Sequence, residues 1–321
     1  MLLVTGCAGF IGFHTCVSLL KQGNTVVGID NLNEYYDPTL KQARLKLLQE
    51  YPNFIFYKLD ITDKSVMDLA EKHNQIEYII HLAAQAGVRY SLENPHAYVD
   101  SNVTGHLNML ELCKKLPKLK HFVYASTSSV YGANTKMPFS VDDRTDSPIS
   151  LYAATKKCCE LMTHAYAHLF KIPSTGLRFF TVYGPWGRPD MAAFIFIKAI
   201  LGDQPIPVYN NGQMRRNFTY IDDIVSGVLG SLNHPPKNDI PYALYNIGND
   251  RSEELMHFIE TLEKHIGKKG TREFLPMQPG DVKETIADIK ATRRDFGFDP
   301  KTNIEEGLKY FVSWYKEYYG I

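Results

Sequence analysis

The sequence predicts an α/β protein built on a doubly wound parallel sheet, with a smaller mixed α/β region towards its C-terminal end. Two observations support this fold class. Short apolar runs alternate with stretches of helical length up to about residue 180, and such alternation implies right-handed crossovers between parallel strands. The first apolar run leads into the glycine-rich segment Thr5–Gly12, which is typical of a strand, a phosphate-binding turn and a helix.

The remaining elements follow from apolar runs and turn residues taken in chain order. Strands are expected at 1–4, 25–29, 54–57, 78–82, 121–125, 174–179, 206–209, 216–220 and 243–247. Helices are expected at 10–20, 39–50, 64–73, 95–116, 151–170, 190–201, 221–233 and 304–319, with Asp63 as one N-terminal cap.

The glycine-rich segment indicates a nucleotide site. Its glycines are Gly6, Gly9 and Gly12. Glycine permits a tight turn and leaves room for a pyrophosphate, which the N-terminus of the next helix attracts. The second predicted strand ends in Asp30, where an acidic residue is expected to bind the adenosine ribose. Asn31 follows rather than an arginine, and Asp30 would repel a 2′-phosphate. The sequence therefore favours NAD over NADP.

Tyr152 and Lys156 lie four residues apart at the start of a predicted helix, so their side chains share one face. A nearby ammonium favours the phenolate form of a tyrosine, which makes such a pair a proton acceptor near neutral pH. The hydroxyl-rich segment 125–132 follows a predicted strand at the edge where open α/β sheets bind ligands. A hydroxyl there is placed to hold a substrate oxygen, although serine-rich turns also cap backbone groups.

Two domains are expected from the change in regularity after residue 180. Residues 1–180 are predicted to form a cofactor-binding domain. Residues 181–217 and 250–321 are predicted to form a smaller substrate-binding domain. The intervening segment 218–249 is expected to return to the first domain, because Ala243–Ile247 is another apolar run typical of a core strand.

Composition narrows the class of protein. The chain has 321 residues, and its 35 Lys and Arg balance its 35 Asp and Glu, which argues against a nucleic-acid partner or an anionic membrane surface. No apolar run is long enough to span a bilayer. The five cysteines include no CxxC pair, which favours free thiols in a reducing compartment. Since the sequence opens on a predicted strand rather than a signal peptide, a cytoplasmic location is expected.

Taken together, the motifs resemble those of the extended short-chain dehydrogenase/reductase family. They are Thr5–Gly12, Asp30, Asp60–Ile61, His81–Ala84, Val130–Gly132 and the Tyr152/Lys156 pair. The resemblance implies a Rossmann sheet that binds NAD and runs nearly the length of the chain. Within the family, the chain is most similar to nucleotide-sugar 4-epimerases of the UDP-glucuronate 4-epimerase group, through segments 87–91, 178–185, 187–192 and 215–223.

Carried over position by position, the resemblance implies a catalytic triad of Thr127, Tyr152 and Lys156. The residues implied for NAD are Gly6, Gly9, Phe10, Ile11, Gly12, Asp30, Asn31, Asp60, Ile61, Leu82, Ala83, Ala84, Asn102, Tyr152, Lys156 and Phe179. Those implied for the UDP-sugar substrate are Arg89, Ser128, Ser129, Thr181, Arg188, Met191, Val208, Arg216 and Asp281, with Arg216 on the UDP phosphates and Asp281 on a ribose hydroxyl. Asn217 departs from the family pattern, which has Asp there.

The implied reaction converts UDP-glucuronate to UDP-galacturonate. Tyr152 would remove the proton from O4, and tightly bound NAD would take the C4 hydride and return it after the 4-keto ring has turned over. The 4-keto sugar of a uronate is a β-keto acid that can lose carbon dioxide. Hydroxyls of Thr127, Ser128, Ser129 and Thr181, with Arg188, are expected to hold its carboxylate.

Alternatives remain open at this stage. UDP-glucose and UDP-N-acetylhexosamine 4-epimerases usually carry Asn where this chain has Thr181, and UDP-glucuronate decarboxylases carry Glu where it has Ser129. A nucleotide-binding protein without turnover would be expected to lack Tyr152 or Lys156. His164 and His168 have the spacing of a metal-ligand pair on a helix, but no third ligand is evident, and we expect no metal.

A homodimer is a further implication of the resemblance. Relatives in the family pair through two long helices of each copy, which here are 95–116 and 151–170, to give a four-helix bundle. Apolar residues suited to such an interface are Leu107, Leu110, Leu161 and Met162.

Overall fold

The computed structural model describes residues 1–278 and 280–321. Its strands are β1 (Leu2–Thr5), β2 (Val26–Asp30), β3 (Phe54–Lys58), β4 (Tyr78–His81), β5 (His121–Thr127), β6 (Ser174–Phe179), β7 (Thr181–Tyr183), β8 (Ile206–Tyr209), β9 (Arg215–Arg216), β10 (Phe218–Tyr220), β11 (Tyr242–Ile247), β12 (Glu253–Glu254) and β13 (Arg272–Leu275). Its α-helices are α1 (Phe10–Lys21), α2 (Pro38–Gln49), α3 (Leu69–Lys72), α4 (Tyr90–Glu93), α5 (Pro95–Tyr98), α6 (Gly105–Lys115), α7 (Leu151–Phe170), α8 (Ala192–Leu201), α9 (Ile221–Leu232), α10 (Leu255–Ile266), α11 (Lys290–Phe296) and α12 (Ile304–Tyr319). Short 3₁₀ segments lie at Lys64–Asp68, Ser128–Tyr131 and Asn210–Gly212, and a π-helical segment lies at Val99–Thr104. Within these described residues, no helix combines the length and the apolar character that a membrane span requires.

The main sheet has seven strands in the order β11–β6–β5–β4–β1–β2–β3, and every neighbouring pair is parallel. The chain starts near the middle, at β1, extends the sheet through β2 and β3, and then returns to build the other side from β4. This reversal confirms the doubly wound fold class. It creates a crevice between β1 and β4 at the C-terminal ends of the strands, where such sheets bind ligands.

Both faces of the sheet are buried, as is usual for parallel sheets. Along β1, Leu2 and Val4 belong to one hydrophobic cluster and Leu3 to another, because successive side chains point to opposite faces. The first cluster continues into α1, α8, α9, α10 and α12, and the second into α6 and α7. The sheet is therefore held rigidly between two layers, and its C-terminal edge is a fixed platform.

Strand β11 pairs with β6 in the main sheet, with Tyr242 opposite Ser174 and Ile247 opposite Phe179. The prediction of a returning core strand at 243–247 is confirmed. The division of the chain into a cofactor-binding and a substrate-binding domain stays a prediction.

Most elements lie within two residues of their predicted bounds, and α7 coincides with the predicted 151–170. The predicted helix 64–73 is instead a 3₁₀ segment followed by the four-residue α3, although Asp63 accepts from the N–H of Ser65 at 2.8 Å and caps it as expected. The predicted helix 95–116 is α5, the π-helical segment and α6 in succession. These differences concern the geometry of single turns, which apolar periodicity does not resolve.

The predicted strand 216–220 is divided into β9 and β10 by Asn217, whose peptide N–H donates to the hydroxyl of Thr285 at 3.1 Å. The Asn217 side chain is fully buried. Its amide nitrogen donates to the carbonyls of Asn249 and Arg251, while its oxygen accepts from the N–H of Asn249 at 2.7 Å. Both halves of the amide are used, so this chain needs a donor where the family pattern has an acid.

We expect Asn217→Asp to destabilise the fold by about 1–3 kcal/mol, because the carboxylate would face two carbonyl oxygens without a proton to donate. The free energy of unfolding in urea measures this effect. Asn134→Asp is the matched control, since the Asn134 side chain acts there as an acceptor from the N–H of Lys136. Equal stability of the two variants would contradict the role assigned to the Asn217 amide.

Candidate functional site

The C-terminal edge of the main sheet opens into a cavity of about 740 Å³. The glycine turn after β1, the ends of β2 and β4, and the segment after β5 line one side of it. Residues of the loop after β7, with others from β8 and β9, line the other side. One continuous cavity thus contains residues predicted for the cofactor and residues predicted for the substrate.

The structure brings together most of the predicted site residues. Those that line the cavity are Gly6, Gly9, Phe10, Ile11, Gly12, Asp30, Asn31, Asp60, Ile61, Leu82, Ala83, Ala84, Arg89, Thr127, Ser128, Ser129, Tyr152, Lys156, Phe179, Thr181, Arg188, Met191, Arg216 and Asp281. Among the described residues, the predicted Asn102 and Val208 lie outside this lining.

Val208 is fully buried in the first hydrophobic cluster. Its neighbours Pro207 and Tyr209 line the cavity instead, because alternate residues of a strand face opposite sides. The structure therefore places Val208 in the core and its two neighbours at the cavity.

Asn102 lies in the π-helical segment, behind the cavity wall. Its side chain accepts from the N–H of Gln85 and donates to the carbonyl of Gln85, both at 2.9 Å, and it donates to the hydroxyl of Thr155 at 3.1 Å. It therefore fixes the loop after β4 against α7.

The glycine turn depends on close backbone contacts. Gly6 has a φ of +68°, in the region that favours glycine, and a Cβ there would lie 2.8 Å from the backbone nitrogen of Ala83. A Cβ at Gly12 would overlap the carbonyl oxygen of Gly6. These contacts let β1, α1 and the end of β4 meet without side chains between them, which leaves a backbone-lined cradle.

Asp30 is fixed at the end of β2. Its carboxylate accepts from the N–H of Ala8 at 3.1 Å and from the N–H of Leu32 at 2.8 Å. Next to it, the amide of Asn31 donates to Asp60 at 2.8 Å. Burial alone would raise the pKa of Asp60, but hydrogen bonds from Asn31 and Thr62 hold it below its ordinary value. Asp60 is therefore ionised at neutral pH, and hydrogen bonds hold both carboxylates in place.

The cradle fits a dinucleotide. The N-terminal end of α1 borders the cavity through Gly9, Phe10 and Ile11, and its first turn carries no acidic residue. A pyrophosphate would meet unpaired N–H groups and the positive end of the helix dipole there. The carboxylate of Asp30 lies where it would accept hydrogen bonds from the hydroxyls of a ribose diol, and it would repel a 2′-phosphate.

Helix α7 carries Tyr152 and Lys156 into the cavity. Ser150 caps the N-terminus of this helix, since its hydroxyl accepts from the N–H of Ala153 at 3.2 Å. Lys156 is buried. Burial and the charge of Lys156 lower the pKa of the neighbouring His81 to about 3, so this histidine is neutral at working pH.

The segment after β5 presents three hydroxyls to the same cavity, from Thr127, Ser128 and Ser129. Thr127 caps the 3₁₀ segment, since its hydroxyl accepts from the N–H of Ser129 at 3.2 Å. The capping role considered from the sequence is confirmed, and these residues also line the cavity.

Glu160 is a buried residue of the site region that sequence reasoning missed. It follows Tyr152 and Lys156 at the same helical spacing, and it accepts from the guanidinium of Arg178 at 2.8 and 2.9 Å. The hydroxyl of Ser126 also donates to it at 2.7 Å. Burial alone would raise the pKa of Glu160, but Arg178 and Ser126 hold it below its ordinary value. The repeated spacing of four along α7 was the available signal.

Arg188 forms an ion pair with Asp190, with nitrogen–oxygen distances of 3.0 and 2.5 Å. The hydroxyl of Tyr35 donates to the same carboxylate at 3.0 Å. Because all three side chains line the cavity, this contact joins the loop after β2 to the loop after β7. Neither Tyr35 nor Asp190 was predicted as a site residue.

A charged group formed by Arg89, Arg216 and Asp281 also lines the cavity. Arg89 lies 3.4 Å from Asp281 and stacks on the ring of Tyr209 at 4.6 Å. Burial lowers the pKa of Arg216. The negative charge of Asp281 raises this pKa, and the positive charge of Arg89 lowers it further. Two guanidinium groups and one carboxylate in this group suit an anionic ligand that also offers hydroxyls.

In the described parts of the chain, no group of three or more His, Cys, Asp or Glu side chains is placed to hold a metal ion. His164, considered as a ligand from the sequence, packs edge-on against Tyr242 with ring centroids 5.2 Å apart. His164 is exposed on α7, so it lies at the surface of the helix.

The glycine turn, the acid at the end of β2 and the tyrosine–lysine pair on α7 define a dinucleotide-dependent enzyme of the short-chain dehydrogenase/reductase class. The chain belongs to the NAD dependent epimerase/dehydratase family, whose model matches residues 2–248. The family resemblance inferred from the motifs is confirmed, and so is NAD as the cofactor.

Similar proteins cover nearly the whole chain. The probable UDP-glucuronate 4-epimerase of Rhizobium meliloti (strain 1021) is 48% identical over 332 residues, covering 99% of this chain and 97% of the relative. UDP-glucuronate 4-epimerase 1 of Arabidopsis thaliana is 49% identical over 331 residues, covering 99% of this chain and 77% of the relative. The crystal structure of UDP-glucuronic acid 4-epimerase from Bacillus cereus with UDP-glucuronic acid and NAD is 38% identical, with a TM-score of 0.92 and 99% of each chain covered.

We expect Gly12→Ala to abolish NAD binding, because its Cβ overlaps the Gly6 carbonyl and would push α1 away from the turn. The NAD content of the purified protein and its melting temperature measure this effect. Ser18→Ala, on the same helix and away from the turn, should leave both unchanged. A Gly12→Ala protein that retains NAD and melts normally would show that the close contact is dispensable.

Proposed function

We propose that this protein interconverts UDP-glucuronate and UDP-galacturonate by inverting C4 of the sugar, with NAD bound throughout. The observation that carries the proposal is the cavity itself, which joins an NAD cradle to Tyr152 and Lys156 and to a row of hydroxyls. The relatives support it, since proteins named as UDP-glucuronate 4-epimerases match 99% of the chain at 45–49% identity.

The residues proposed to hold NAD are those of the glycine turn and the strand ends. The turn, with Gly6, Gly9 and Gly12, would bind the pyrophosphate, and Asp30 the adenosine ribose. NAD, when bound, supplies a hydride acceptor that takes the C4 hydrogen and gives it back to the opposite face of the ring. The chain's own residues provide the proton transfer and the alignment of the sugar.

Tyr152 is proposed as the base that takes the proton from O4 and later returns it. Lys156 is proposed to stabilise the negative charge that develops on the Tyr152 oxygen and on O4. The interaction is strong because Lys156 is buried. The hydroxyl of Thr127 lies at the same wall and is proposed to hold O4 during the transfer. His81 is neutral behind Lys156, so it does not compete as a proton donor.

The hydroxyls of Ser128, Ser129 and Thr181 are proposed, with Thr127 and Arg188, to hold the sugar carboxylate. Donors arranged around a carboxylate favour its charged, fixed form. They would therefore oppose loss of carbon dioxide from the β-keto acid. Ser129 offers a hydroxyl where decarboxylases carry an acid, which supports epimerisation without decarboxylation.

Arg216 and Arg89 are proposed for the UDP phosphates and Asp281 for the uridine ribose. They line the same cavity as Tyr152, beside which the sugar is proposed to lie. The segments 181–217 and 250–321 supply these groups and are proposed as the substrate-binding domain.

The deciding experiment incubates the purified protein with UDP-glucuronate and follows the products by NMR. UDP-galacturonate formed without added NAD supports the proposal. UDP-xylose or a 4-keto pentose would identify a decarboxylase. Turnover of UDP-glucose with no reaction of the uronate would identify a neutral-sugar 4-epimerase.

We expect Tyr152→Phe to lower the turnover rate by about 10²–10⁴-fold, the range typical of losing a general base, while NAD remains bound. Single-turnover kinetics and the NAD content of the protein measure the two effects separately. Tyr166→Phe on the same helix is the control, because its hydroxyl contacts Glu111 outside the cavity. Activity retained in Tyr152→Phe would refute the assigned base.

We propose further that two copies pair through α6 and α7 as a four-helix bundle. Leu107 and Leu161 are 39% and 61% exposed on these helices, whereas Leu110 is buried in the core and Met162 is partly buried. Of the four residues suggested by the sequence, Leu110 therefore belongs to the monomer's own core.

The free state of all five cysteines, which all lie within the described residues, supports a reducing compartment, and we propose the cytoplasm.

Leu161→Asp should convert the dimer to a monomer, because it places a charge in the proposed interface. Light scattering after gel filtration measures the mass. Phe274→Asp, at an apolar residue of β13 that is 53% exposed, is the control and should remain dimeric. A monomeric wild-type protein would refute the interface.

A further inference from the structure

Arg44 on α2 is fully buried, yet its hydrogen bonds go to uncharged oxygens. One terminal nitrogen donates to the carbonyl of Ala8 and to the hydroxyl of Tyr36, both at 2.9 Å. The other donates to the carbonyls of Trp186 and Gly187, at 2.6 and 3.0 Å. Burying a cation in this way is costly, and the planar fork of arginine lets one side chain reach all four oxygens.

These partners belong to two distant parts of the chain. Ala8 lies inside the glycine turn, where its own N–H donates to Asp30. Trp186 and Gly187 lie in the loop 184–190, which follows β7 and carries Arg188 and Asp190. Arg44 therefore joins the back of the phosphate-binding turn to the loop that forms the opposite wall of the cavity.

The loop 184–190 has an uncommon backbone conformation at one residue. Trp186 has a φ of +60°, which is uncommon for a residue with a side chain. Its ring packs against Phe13, Trp314 and Tyr318, with centroids 5.5, 5.2 and 5.0 Å apart. A residue in this region persists when its surroundings hold it from several sides, as they do here.

His14 on α1 supports the same loop. Its Nε2 lies 2.9 Å from the carbonyl oxygen of Pro185. Burial lowers the pKa of His14 to about 4, so the ring is neutral at working pH and donates its single N–H to that carbonyl. Three consecutive carbonyls of the loop, from residues 185 to 187, are thus bound by side chains of the cofactor-binding half.

At its far end the loop reaches across the cavity. Asp190 accepts from the hydroxyl of Tyr35, which lies in the loop after β2. Gly87, at the end of the loop after β4, lies beside the same contact, since a Cβ there would be 2.7 Å from the Tyr35 hydroxyl. The two walls of the dinucleotide cradle therefore touch over the cavity.

We propose that Arg44 is a positioning residue that holds the loop 184–190 closed over the NAD cradle, and that this closure, completed by the contact between Tyr35 and Asp190, keeps NAD from dissociating between turnovers. The proposal rests on the proposed function only in that NAD remains bound through the catalytic cycle. It assigns to Arg44 no contact with the sugar and no part in proton transfer.

The test measures exchange of bound NAD for radiolabelled NAD in the purified holoprotein, with no sugar present. Arg44→Met keeps the length of the side chain and removes its donors, and we expect exchange to be faster by about tenfold or more. Arg44→Lys keeps the charge but cannot reach both loops, so it should exchange equally fast. Wild-type exchange in both Arg44 variants would overturn the proposal.

Arg272→Met is the matched control, since Arg272 pairs with Glu263 at 3.0 Å in another part of the chain. It should exchange NAD at the wild-type rate, and an equal acceleration there would refute a specific role for Arg44. If the Arg44 variants do not fold, NAD exchange is measured in Tyr35→Phe instead. This variant removes only the hydroxyl that donates to Asp190. Faster exchange with an unchanged melting temperature supports the closure, and wild-type exchange overturns it. Because no sugar is used, failure of this proposal is distinguishable from failure of the proposed reaction.

Discussion

The buried ion pair between Glu160 and Arg178 is the interaction on which the geometry of the site depends. It joins α7 to β6, and Ser126 extends the link to β5. Tyr152 and Lys156 lie two turns and one turn earlier on the same helix, while Thr127 follows Ser126 directly. Removing one partner of such a pair costs about 3–5 kcal/mol, so the helix cannot slide along the sheet without a large penalty. The proton-transfer group and the hydroxyls therefore keep a fixed relation.

The parts of the site that sequence reasoning predicted are those defined by near neighbours in the chain. A local pattern and its place in the order of elements were enough to predict three of these parts. They are the glycine turn, Asp30 at a strand end, and the pair Tyr152 and Lys156. The parallel sheet then brings them to one edge, since all its strands end there. The alternation of strands and helices was therefore sufficient to predict the fold class, whereas most residues that line the cavity were named from the family resemblance.

The residues that were missed depend on contacts between distant segments. Arg44 meets Trp186 across 142 residues of sequence, and Tyr35 meets Asp190 across 155. Nothing in the local sequence marks these partners, because each looks like an ordinary polar residue of a helix or loop. Val208 shows a related limit of prediction from sequence. A motif match places this residue on a strand, but the side that it faces depends on the pleat of that strand.

The π-helical segment Val99–Thr104 has a consequence for how α5 and α6 face the rest of the protein. Its wide turn holds one residue more than an α-helical turn, and each residue rotates a helix by roughly 100°. Upstream, the hydroxyl of Tyr98 is bound to the carbonyls of Ala86 and Gly87. Downstream, Leu110 faces the core. The segment thus sets the rotation of α5 relative to α6, and a change in its length would turn one end of the helix out of place.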